Sequence, residues 1–192
     1  MSKTWMHSLA LGAALSLAAL LPLTAAADAP KDKPAAPEKK PPAPKPVVVK
    51  LADAKGKAIG TATLTAVKDG VSIALDLHDL AAGDHAIHVH QTAKCEGPDF
   101  KSAGGHFNPD NKHHGMDNKE GPHAGDMPNF TVDAKGKAKA TIVAPGVTLG
   151  DDAHSVFTGG GTALVVHAKA DDMKTDPAGN AGDRIACGTI TK

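Results

Sequence analysis

KAIGTATLTAVKDGVSIALDL, residues 57–77, decides the fold. Two runs rich in Ile, Val, Leu and Thr alternate on either side of Asp69-Gly70, and that dipeptide readily takes the positive φ of a tight hairpin turn. The stretch reads as two paired strands. Working outward, VVVKL (47–51) precedes it as another β-type run, and AIHVHQ (86–91) follows as a third strand type. FTVDAKGKAKATIVA (130–144) repeats the hairpin pattern around Lys135-Gly136, and TALVVHA (162–168) and RIACGTIT (184–191) supply two more strands. Between Gln91 and Asn129 the strand pattern nearly vanishes in favour of Gly, Pro, Asn, Asp and His. A loop of that size inside a compact domain is usually functional or pinned by something. With no helix of ordinary length, the class is all-β, a sandwich or barrel with long loops.

The N-terminal quarter has a different composition. Residues 1–27 carry Lys3, an apolar run LALGAALSLAALLPL, and small residues at Ala25 and Ala27, the grammar of a cleaved secretory signal. At about 15 residues the run is short for a membrane anchor, so no transmembrane segment is expected in the mature protein. Residues 28–46 hold seven of the 14 prolines, with Lys and Ala between them. That composition favours extended polyproline II and makes a spacer, leaving 47–192 as the folded domain. Lys+Arg and Asp+Glu balance at 21 each, but from Leu51 onward 14 basic residues face 18 acidic ones. A mildly acidic domain offers no basic patch for a phosphate backbone, which excludes nucleic acid as a partner. Export to an oxidising compartment predicts that Cys95 and Cys187, the only cysteines, pair with each other.

The 11 histidines are unevenly spread. GDHAIHVH places His85, His88 and His90 within eight residues, and on a strand His88 and His90 share one face. His106 follows in GGHFNP, then the pair His113 and His114, then His123 three residues before Asp126, and His167 in VVHAKADD. A lone histidine reads as a satisfied polar residue or a surface switch. This many, in pairs and beside an acid, read as metal ligands, with imidazole suiting zinc, copper, iron or nickel and an added carboxylate suiting zinc. Strand-borne His88, His90 and His167 form one group, and loop-borne His114, His123 and Asp126 another. His106 lies between them. Two four-coordinate ions need eight ligand positions, and one imidazole bound through both nitrogens lets these seven residues supply them.

GDHAIHVH, CEGPDFKSAGGHFNP, HGM followed by HAGDMPNF, VVHAKADD and GNAGDRIACGTI stand in an order and spacing that resembles the secreted bacterial copper,zinc superoxide dismutases over about residues 47–192. The resemblance implies an eight-stranded Greek-key β-barrel with long metal-binding and electrostatic loops. It also implies a periplasmic enzyme that disproportionates superoxide by cycling copper between Cu(II) and Cu(I) beside a structural Zn(II). On this pattern His88, His90, His106 and His167 are copper ligands, and His106, His114, His123 and Asp126 zinc ligands, with His106 as the bridge and proton carrier. Asp171 matches the acid linking a ligand of each metal, Arg184 the active-site arginine, and Cys95–Cys187 the loop-pinning disulfide. His85 matches a structural histidine, His113 is left as solvated or a substitute ligand, and His78 and His154 fall outside the motifs. The segment between Ala170 and Arg184 lacks the paired glutamates of the animal enzymes, which makes Lys101 and Lys174 candidates for steering substrate. Arg184 could instead form a surface salt bridge with Asp183 or Asp176. The resemblance leaves monomer and homodimer both open. The competing reading is a non-catalytic periplasmic copper- or zinc-binding or copper-delivery protein on the same fold, and the retained Arg184 argues against it.

Overall fold

The computed structural model describes residues 44–192. The expected signal and residues 28–43 of the spacer lie outside the described residues. Nine strand segments follow in order: β1 (Val47–Asp53), β2 (Ala58–Val67), β3 (Gly70–Leu77), β4 (Gly83–His85), β5 (Ile87–His90), β6 (Phe130–Val132), β7 (Ala138–Ala144), β8 (Thr162–His167) and β9 (Arg184–Ile190). Two 3-10 turns, at Lys101–Ala103 and Thr158–Gly160, are the helical segments among the described residues.

The decisive hairpin forms, with its turn one residue earlier than read: Lys68 and Asp69 make the turn, Val67 pairs with Gly70, Leu64 with Ile73 and Gly60 with Leu77. A seven-stranded sheet runs β5-β8-β9-β1-β2-β3-β7, and β4 pairs with β6 in a second, two-stranded sheet. The edge strand β5 continues β4 across the single residue Ala86, and the other edge, β7, follows β6 through the turn closed by Asp133 N–H to Lys137 O at 2.8 Å. Counting β4 and β5 as one interrupted strand gives the eight expected. The interruption has a physical cause. Ala86 donates its N–H to Lys169 O and accepts from His167 N–H, so the chain changes partner there, from β6 to β8.

Alternation sets the core. Val49 and Leu51 of β1, Leu64 of β2, Ile73 and Leu75 of β3, Ile87 and Val89 of β5, and Leu164 and Val166 of β8 share one buried cluster. The opposite face of β8 is buried too. Ala163 and Val165 pack with Phe100, Ala103 and Cys187 in a second cluster beneath the chain after β5. Cys95 and Cys187 form the expected disulfide across that seam, with Cα atoms 5.6 Å apart and a separation of 92 positions in sequence. Closing a loop of that length constrains the unfolded chain by roughly 4–5 kcal/mol on the chain-entropy account. Among the described residues no helix is long and apolar enough to cross a membrane.

Candidate metal centre

His88 pairs with Val165 and His90 with Ala163 across β5 and β8, so both imidazoles leave the barrel on the face covered by the long loop, while Ile87 and Val89 enter the core. Two rings thus stand on a rigid strand, and the loop brings the rest. His88, His90, His106 and His167 place one ring nitrogen each within 4.8 Å of one another, as do the ligand atoms of His106, His114, His123 and Asp126. His106 belongs to both groups, and every member is buried. A third grouping, His88, His114 and Asp171, joins the two.

The hydrogen bonds select which nitrogen each ring leaves free. His90 Nδ1 lies 3.0 Å from Gly104 O and His167 Nδ1 3.3 Å from Gly182 O, so each donates there and turns Nε2 inward. Those two Nε2 atoms are 3.4 Å apart. His88 reverses the choice, giving Nε2 to Asp171 Oδ2 at 2.8 Å. Its Nδ1, and Nε2 of His106, are buried without any partner. A buried ring nitrogen with no partner is costly, and a metal ion at that point supplies one. In the second group the nitrogens converge on one oxygen: Asp126 Oδ1 lies 2.8 Å from His106 Nδ1, 3.0 Å from His114 Nδ1 and 3.4 Å from His123 Nδ1. Asp126 Oδ2 is held by the N–H groups of Gly115 and His123, each at 2.9 Å, which aims the carboxylate at the rings. The donors are three imidazoles and a carboxylate, a set that suits zinc, and the all-imidazole group suits copper.

Protonation follows burial and these contacts. Burial pushes His88 down, His90 well down, and His106 and His167 to about 4, so the first group is neutral near pH 7 and presents lone pairs. Burial also works to lower His114, but Asp126 and Asp171 outweigh it and raise the ring to about 9. Burial works to raise Asp126, and the hydrogen bonds from His106, His114 and His123 outweigh it and hold it well below the carboxylate range. The second group therefore favours positive charge, which a divalent cation provides.

His85 engages His167 O at 2.8 Å and Ala81 O at 2.9 Å through its two ring nitrogens, a structural role. His113 stays out of both groups and faces Asp176 at 3.0 Å. His78 and His154 lie beside Asp79 and Asp110 at the surface. Arg184 binds neither Asp183 nor Asp176; its Nη1 donates to Phe100 O at 2.8 Å and its Nη2 to Gly104 O at 2.7 Å. The Gly104 carbonyl thereby anchors both Arg184 and His90. A cleft opens above the first group, lined by His106, His167, Arg184 and the neutral side chains of Gln91, Asn108 and Asn111. Lys101 lines an adjoining cavity with Arg184 but is paired with Asp99 at 2.8 Å, and Lys174 lines neither.

Sequence reasoning passed over Asn129, whose amide clasps the Asp171 backbone, donating to Asp171 O at 2.9 Å and accepting from its N–H at 2.8 Å. Nothing in the local pattern DMPNF separates that asparagine from a turn residue.

Residues 58–190 match the family described as Copper/zinc superoxide dismutase (SODC). The chain is 51% identical over 142 residues to a Superoxide dismutase [Cu-Zn] 1 of Aquifex aeolicus, covering 73% of this chain and 84% of that one. It is 42% identical over 146 residues to the Superoxide dismutase [Cu-Zn] of Caulobacter vibrioides, covering 74% and 83%. Among solved structures, the Cu/Zn superoxide dismutase from Brucella abortus superposes with a TM-score of 0.63 at 30% identity, covering 76% of this chain and 99% of that one. A double mutant of a SOD-like protein from Bacillus subtilis gives 0.73 at 39%, covering 76% and 97%.

Proposed function

The chain belongs to the copper/zinc superoxide dismutase family and disproportionates superoxide with copper and zinc as cofactors, and on that premise we propose which side chains carry each part of the reaction. His88, His90, His106 and His167 hold copper; His106, His114, His123 and Asp126 hold zinc. The observation that carries this assignment is the set of freed nitrogens: His88 Nδ1, His90 Nε2, His106 Nε2 and His167 Nε2 are left over after every anchoring hydrogen bond is made.

Bound copper supplies a one-electron couple between Cu(II) and Cu(I), and bound zinc supplies fixed charge without redox chemistry. His106 is the proton carrier: Asp126 holds the ring on its Nδ1 side, and Nε2 takes a proton and passes it to the reduced substrate. Arg184 binds the anion. Two carbonyls fix its guanidinium, and it is the permanent cation among the residues lining the cleft, with N–H groups to spare for an anion. Asp171, itself fixed by Asn129, takes Nε2 of both His88 and His114, which leaves His88 Nδ1 unpartnered and turns His114 Nδ1 toward Asp126.

The enzyme acts in the periplasm. Its disulfide persists in an oxidising compartment, and the leader read at residues 1–27 supplies the route. Sedimentation velocity of the purified chain separates monomer from homodimer.

Metal analysis with a dismutation assay, before and after chelation, tests the assignment when run on wild type and His167→Ala. Loss of copper and activity with zinc retained supports it. Wild-type copper content in His167→Ala removes that residue from the copper set.

A further inference from the structure

Asp176 belongs to neither ligand group, yet it grips the residue that completes the second. Its Oδ1 accepts the backbone N–H of His114 at 2.5 Å, and its Oδ2 lies 3.0 Å from Nδ1 of the neighbouring His113. We propose that Asp176 is a positioning residue: by fastening the segment 170–183 to the metal loop it sets the place of His114, and this rests on the reading of His114 as a zinc ligand.

The argument starts from what His114 lacks. No strand occupies the chain between β5 and β6, so no ladder fixes the His114 backbone. Its geometry is set by individual contacts instead. Asn118 Nδ2 donates to the His114 carbonyl at 2.9 Å, Asp126 Oδ2 takes the next N–H, that of Gly115, and Asp171 takes the ring Nε2 at 3.0 Å. The His114 N–H is the remaining peptide group, and Asp176 is its acceptor.

The two segments meet along a seam. Asp117 N–H donates to Met173 O at 3.0 Å, and Gly115, at φ +110°, presses so closely on the Met173 carbonyl that a Cβ there would collide with it. Asp176 is the side-chain stitch on the His114 backbone in that seam, beside Asp171 on the His114 ring and Asn118 Nδ2 on Lys174 O at 3.4 Å. A carboxylate suits the task because its two oxygens serve a peptide N–H and an imidazole on adjacent residues at once, and its charge strengthens both contacts. This also explains His113: it is held on the latch, half exposed, rather than turned toward a metal.

The test uses the full chain loaded with copper and zinc, as wild type, Asp176→Ala, Asp176→Asn and His114→Ala. Zinc affinity is measured by competition with a chromophoric chelator, and the ligand-field spectrum is read with cobalt(II) in place of zinc. Asp176→Ala is expected to weaken zinc about tenfold, the low end for a residue that supports a ligand from behind, and to shift the cobalt bands. Asp176→Asn keeps an oxygen for the His114 N–H and is expected to restore most of both. Wild-type zinc affinity with unshifted cobalt bands in Asp176→Ala overturns the proposal, provided His114→Ala loses zinc. A His114→Ala variant that binds zinc like the wild type overturns the ligand reading instead, and the latch with it.

Discussion

His88 Nε2 and Asp171 Oδ2 lie 2.8 Å apart, and neither side chain reaches solvent. The other oxygen of the same carboxylate takes His114 Nε2 at 3.0 Å, so one residue ties a ring of the first ligand group to a ring of the second. Asp171→Asn replaces one acceptor oxygen with a donor aimed at a ring N–H. Supporting groups of this kind are commonly worth about 10–100-fold in metal affinity. The variant is expected to lose at least tenfold in zinc affinity by chelator competition. Wild-type retention of zinc would show that the relay is idle.

His123 completes the second ligand group from the loop side, and its own N–H braces Asp126 Oδ2 at 2.9 Å. His123→Ala should lose zinc before copper, because only the second group is broken. Without that ion, Asp126 alone steadies the Nδ1 side of His106, and the dismutation rate should become more dependent on pH. Zinc analysis alongside a pH–rate profile checks both parts. Stoichiometric zinc in the variant would show that the second group is misassigned.

Arg184 is the permanent cation in a cleft lined otherwise by imidazoles and by uncharged side chains such as Gln91, Asn108 and Asn111. A local positive spot on a mildly acidic domain focuses the field on an anionic substrate, an effect that salt screens. Arg184→Ala is expected to lower the rate at low salt and to flatten its dependence on ionic strength. Lys101→Ala should do less, since Asp99 already neutralises that lysine. Kinetics of the Arg184 variant that match wild type across ionic strength would remove the steering role.

Asp172 organises the turn beside the metal loop. Hydrogen bonds from the Thr175 hydroxyl, the Thr175 and Lys174 N–H groups and Asn180 hold its carboxyl at about 2. Its folded value lies below the ordinary value of about 3.9, so its contribution is fully present above that pH and is lost as the pH falls through about 2. Amide-exchange protection at Lys174 and Thr175 should therefore stay level from pH 7 to pH 4 and fall only below that. Protection already lost at pH 5 would contradict the assignment.

The sequence made the hairpin 57–77 and the shared face of His88 and His90 legible because both are properties of a two-residue period. Ala86 was not legible as a break, since the change of partner depends on Lys169 and His167, more than 80 residues away. The histidine groups could be read from residue type and spacing, but the freed nitrogen of each ring could not. That choice is made by the carbonyls of Gly104 and Gly182 and by Asp171, and by the fold that brings them within reach. His113 and His114 are alike in sequence. Their roles diverge because the backbone turns one toward Asp126 and the other toward Asp176.

Anomalous diffraction from crystals of the metal-loaded protein, collected at the copper and zinc absorption edges, tests the shared-histidine cage most directly. Copper bonded to His88 Nδ1 and to the Nε2 atoms of His90, His106 and His167, with zinc bonded to His106 Nδ1, is the expected result. Peaks at other side chains, or two ions that share no imidazole, would contradict it.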